Sequence, residues 1–171
     1  IDWIPFTKPE LSSKFGGIFF PGPDLNEYSF YRSYHGHDTY SLIGITHTTA
    51  SYGVMNSLRQ IETSNLMPWD AIICTSESVL DTVNKVIESN RENLSAKNIT
   101  TNNILPKFPI IPLGIDTDEF KFSDKEKTEA RYMLGIGEDD IALIFVGRLS
   151  FHAKAHHLPM YLALEKVSKG L

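Results

Sequence analysis

The chain has 171 residues, 42% of them hydrophobic and 22% charged, the content of an ordinary globular protein long enough to bury a core. With 16 Lys and Arg against 21 Asp and Glu, a formal charge of -5, it lacks the broad basic surface by which proteins displace counterions from nucleic acid or anionic membrane. Any phosphate it binds must be held by local groups, and its single cysteine, Cys74, excludes an internal disulfide and reads as a small buried hydrophobe in the run AIIC.

The first element is GGIFFPG, residues 16–22, a short strand set between glycines and prolines. A helical or irregular stretch follows. Residues 41–45, SLIGI, form a compact apolar run that turns polar at THTTAS, as a buried parallel strand does on leaving its sheet. VMNSLRQIETSN fits a helix with Val54, Leu58 and Ile61 on one face. DAIICT is a further buried strand, and Ser76 or Ser78 caps a helix in which Val79, Val83, Val86 and Ile87 make an apolar stripe. Residues 90–103, rich in Asn, Ser and Thr, read as a loop; their two glycosylation-like triplets at Asn93 and Asn98 are chance matches without a secretory signal. FPIIPLGI is a strand interrupted by prolines, and residues 112–123 resemble a linker. Ser123 and Glu126 form a capping box for a helix ending near Gly135, IALIFVG is the clearest strand of all, and Pro159 opens a last helix with Met160, Leu164 and Val167 on one face.

Strands alternating with helices at this spacing predict an α/β protein, a Rossmann-like parallel sheet with helices on both faces. No apolar run approaches the roughly 20 residues of a spanning helix, and IDWIPFTKPE has neither a basic start nor an apolar signal core. A cytoplasmic protein without a transmembrane segment is expected. Because the chain begins with Ile1 and stops at Leu171 directly after a helical pattern, it reads as a fragment.

Ligands of parallel sheets bind beyond the carboxyl ends of the strands, and two segments put polar groups there. In THTTAS, His47 stands at a strand end near the start of a helix, where the dipole favours a neutral imidazole able to accept from a hydroxyl; Thr48 adjoins it. The alternative is a histidine bonded to nearby backbone. After IALIFVG, Gly147 permits close approach, Arg148 offers a planar fork to phosphate oxygens and Lys154 adds a compact charge. Fixed cations there would stabilise charge growing on a departing diphosphate; the alternative is a solvated basic turn. Tyr28, Tyr31, Tyr34 and Tyr40 are candidates to stack on a sugar ring or to fill a core. His152, His156 and His157, with His35 and His37, do not make a metal site by pattern, because H-x3-H-H lacks the accompanying Glu and precedes Pro159. LGIGEDD precedes a strand rather than following one and is a helix stop.

Three strings together resemble the family-4 glycosyltransferases: IIPLGIDTDEF their interdomain signature, IFVGRLS with a following lysine their donor loop, and WDAIICTSESV the last segment before their linker. The similarity runs from about Gly17 to the end of the chain. It implies a glycosyltransferase-B architecture of two Rossmann-like domains facing across a cleft, transfer with retention, and no metal or other cofactor. Residues 1–112 would be the C-terminal portion of the acceptor-side domain, 113–123 the interdomain linker and 124–171 the start of the donor-binding domain. By position, Arg148 and Lys154 would stabilise the leaving diphosphate, Gly147 would lie against it, and His47 with Thr48 would line the acceptor side. The partners implied are a nucleotide-sugar donor and a sugar, glycan or other hydroxyl acceptor, with no nucleic acid.

The chain departs from the family pattern in three ways. Lys154 comes six residues after Arg148 rather than five and is followed by Ala155 instead of glycine; Leu113 replaces the commoner asparagine; and no two glutamates are eight apart. The fragment alone is therefore expected to be inactive. A noncatalytic nucleotide- or phosphate-binding module, and after it a histidine-dependent metal hydrolase, are the other readings.

Overall fold

The structure is a computed structural model that describes residues 4–5, 7–101, 103–150 and 156–170. It divides into two compact units, Ile1–Ile115 and Asp116–Leu171, each described by itself.

The first unit is α/β, a small open sheet flanked by helices. After a 3-10 helix at Pro9–Phe15 come β1 (Gly17–Phe19), α1 (Asn26–Ser33), β2 (Ser41–Thr46), α2 (Tyr52–Arg59), β3 (Ala71–Cys74) and α3 (Glu77–Ala96). The strands are parallel in the order β1-β2-β3, with Gly17 opposite Ser41 and Ile43 opposite Ala71. Leu42 in β2 and Ile72 in β3 are wholly buried, as continuous apolar runs require when both faces of a parallel sheet are covered. Leu58 of α2 and Val83 and Ile87 of α3 join the same core. Each such side chain contributes about 1.5–3 kcal/mol of burial. Cys74 is buried among them, and burial pushes its thiol pKa up, so it is packing rather than chemistry.

Two elements differ from the sequence expectation here. Residues 90–96, expected as loop, continue α3. Their polar side chains find partners: Asn90 Nδ2 donates to the Arg59 carbonyl at 2.8 Å and Arg91 Nε to buried Glu62 at 2.7 Å, which ties the helix to the end of α2 and the turn after it. The proline-broken run at 107–111 makes only isolated bridges to β3, at Lys107 and Ile110. Pro109 has no N–H, but its carbonyl accepts from Cys74 N, and Ile111 N donates back to the Cys74 carbonyl, both at 2.9 Å. The segment therefore extends the sheet without a full ladder.

Gly44 is required by a close approach. A Cβ there would lie 2.6 Å from the Gly22 carbonyl oxygen and 3.3 Å from the Leu25 side chain. Because backbone cannot yield as a flexible side chain does, Gly44→Ala is expected to destabilise this unit by about 1–3 kcal/mol, measured by urea denaturation. An unchanged midpoint would mean that the segment after β1 lifts away at no cost.

The second unit contains a 3-10 turn at Asp118–Phe120, α4 (Asp124–Met133) and α5 (Leu158–Ser168). The expected capping box is present: the Ser123 hydroxyl accepts from Glu126 N, and the Glu126 carboxylate accepts from the Ser123 hydroxyl and from Ser123 N, the hydroxyl first and the N–H second holding the Glu126 pKa down. Gly135, at φ +68, ends α4 with Gly135 N donating to Tyr132 O and Ile136 N to Arg131 O, the Schellman pattern. α5 begins at Leu158, so Pro159 is its second residue, not its first. IALIFVG is not a strand. A strand exists through its ladder, and among the described residues no neighbour exchanges hydrogen bonds with 141–147; Ile141, Ile144 and Val146 are largely exposed.

Candidate functional site

The carboxyl ends of β2 and β3 form one polar edge. β2 stops at Thr46, which is buried, and the chain emerges at His47 and Thr48, both exposed. The Thr48 hydroxyl accepts from Ala50 N at 3.3 Å and Ser51 caps α2 by accepting from Val54 N. On the neighbouring strand Thr75 donates from its hydroxyl to the Thr46 carbonyl at 3.2 Å, and Ser76, not Ser78, caps α3 through Val79 N. The N-termini of α2 and α3, with their partial positive charge, follow the carboxyl ends of β2 and β3. An exposed imidazole at such an edge can take a proton from a hydroxyl brought to it.

Gly147 turns at φ +155, a conformation that side chains rarely adopt, and hands the chain to an exposed Arg148. Lys154 lies outside the described residues, as does His152. His156 Nδ1 accepts from Leu158 N at 3.2 Å at the start of α5, and the His157 ring packs edge-on against Phe145 and Tyr161. Among the described residues no group of three or more His, Cys, Asp or Glu is placed to hold a metal.

The four tyrosines converge, but not at His47. Tyr28, Tyr31, Tyr34 and Tyr40 line a cavity of about 1130 Å³ beside β1, the edge strand of the sheet among the described residues, and its described wall includes neither His47 nor Thr48. Tyr31 donates to Glu27 Oε1 at 2.9 Å, and that bond with the nearby carboxylate charge raises the phenol's pKa; burial raises that of Tyr40. The spacing of Tyr28, Tyr31 and Tyr34 along α1 carries a helical signal for this grouping, whereas the contribution of β1 carries none.

Sequence reading also missed what aligns the sheet. Arg32, on α1, is fully buried and holds Asp70, just before β3, through Nη1 at 2.5 Å and Nη2 at 2.7 Å. No helix of the described residues is long and apolar enough to cross a membrane. Comparison with family models, with curated proteins and with solved structures returned no match to this chain.

Proposed function

We propose that this chain is part of a retaining glycosyltransferase that moves a sugar from a nucleotide-sugar donor to a hydroxyl acceptor. Residues 1–112 carry the acceptor side, residues 124–171 open the donor-binding domain of a glycosyltransferase-B architecture, and 113–123 join them. His47 receives the acceptor hydroxyl with Thr48 beside it; Gly147, Arg148 and Lys154 hold the donor diphosphate. The observation that carries the reading is that His47 is exposed immediately beyond the carboxyl end of a buried parallel strand, where open α/β sheets bind ligands. The chain order of the three family-like strings adds to it.

The test is to incubate the gene product containing this chain with uridine, guanosine and adenosine diphosphate sugars and follow nucleoside diphosphate release and anomeric configuration by proton NMR. Retained configuration is expected, with activity surviving a chelator. His47→Ala should lower kcat/KM by about 100-fold, the weight of a general base, with nucleotide affinity unchanged. Nucleotide binding without any sugar release would mark a noncatalytic module instead.

A further inference from the structure

We propose that the cavity beside β1 binds an organic cation, an amine or quaternary ammonium group on an apolar body. This site is independent of the transfer chemistry proposed above. Its walls are largely aromatic, built from Phe19 and Phe20 at the end of β1 and from Tyr28, Tyr31 and Tyr34 of α1 and its C-terminal end. Phe20 and Tyr28 stack with centroids 4.0 Å apart and planes 28° apart, which fixes two of the rings. Ring faces carry the negative part of the aromatic quadrupole and attract a cation within about 6 Å.

Charge decides what such walls select. Glu27 is the only carboxylate in the described wall and no Lys or Arg lines it. His35, also in the wall, is faced by a second carboxylate, Glu10, with Nε2 and Oε2 4.0 Å apart. Among the described wall residues a phosphate or a nucleotide would meet Glu27 and no Lys or Arg, with His35 already faced by Glu10, so this is not a second donor site. A neutral apolar ligand would fill the space but cover the Glu27 carboxylate without pairing it, which costs free energy. A sugar would meet hydroxyl partners in the wall, at the tyrosines, Ser12 and Thr7, but brings no charge to balance Glu27. A cation meets both demands. Glu27 accepts one bond from Tyr31 at 2.9 Å and, as an ionised carboxylate, has lone pairs for another.

The experiment uses the intact chain and three probes: phenethylamine, its neutral counterpart phenethyl alcohol, and methyl glucoside, followed by amide NMR shifts of residues 17–20 and 27–35. Phenethylamine is expected to bind roughly tenfold more tightly than the alcohol. Glu27→Gln, an exposed and nearly isosteric change, should remove that advantage while leaving the alcohol's affinity and the fold's amide spectrum as they were. Equal binding of amine and alcohol, preference for the glucoside, an unaltered amine affinity in Glu27→Gln, or no shift with any probe each overturns the proposal.

Discussion

Asp70→Ala is expected to lower the unfolding free energy of residues 1–115 by about 3–5 kcal/mol, the range for removing one partner of a buried ion pair. Asp70 and Arg32 are both wholly buried, and the carboxylate is used completely: Oδ1 accepts from Arg32 Nη1 and from Leu42 N at 2.8 Å, Oδ2 from Arg32 Nη2 and from Met67 N at 2.8 Å. Arg32 in turn donates to the carbonyls of Tyr40 at 2.9 Å and Asn65 at 3.2 Å. The pair thus joins α1, the start of β2 and the turn before β3. Many buried ion pairs can be exchanged for hydrophobes at little cost, but here the exchange strands four backbone groups. Each costs about 1–3 kcal/mol when left unpaired. The double variant Arg32→Met, Asp70→Leu should therefore be no more stable than wild type. Urea denaturation of the whole chain, followed by the indole signal of Trp69 beside the site, measures both. A loss under 1 kcal/mol for Asp70→Ala, or a double variant more stable than wild type, would contradict the bracing role.

How much of this was legible follows from what each signal encodes. β2 and β3 were readable because burial on both faces leaves an uninterrupted apolar run, and the turn to THTTAS marked where β2 leaves the sheet. The tail of α3 was not, since Asn90 and Arg91 are polar by composition and helical only through partners at Arg59 and Glu62, about thirty residues away. IALIFVG shows the converse: an apolar run states a need for burial without supplying the neighbour that makes a ladder. Arg32 and Asp70 stand 38 residues apart with no periodic relation, so their pairing has no local signature, although the aspartate itself was visible ahead of AIIC. On the candidate site, the position of His47 was legible from the strand end alone. The separation of the tyrosine cavity from His47 was not, because it depends on β1 being an edge of the sheet.

Arg148→Ala is expected to reduce kcat/KM for sugar transfer by about 100- to 1,000-fold, equivalent to roughly 2.7–4 kcal/mol of transition-state stabilisation. The prediction rests on the proposed donor role, in which charge accumulates on the diphosphate as the glycosidic bond to it breaks. Arg148 is exposed, so truncation should not disturb the fold. A guanidinium fork that only anchors the donor would raise KM and leave kcat alone; one that meets the developing charge must lower kcat. Arg148→Lys separates the charge from the fork. An ammonium keeps the positive charge but not the paired planar contacts, so partial recovery, with kcat between wild type and Arg148→Ala, is expected. Steady-state kinetics of the gene product containing this chain, with nucleoside diphosphate affinity measured alongside by calorimetry, distinguishes these cases. Should Arg148→Ala retain kcat/KM within about twofold, the guanidinium has no part in leaving-group departure, and the diphosphate must be held by other residues.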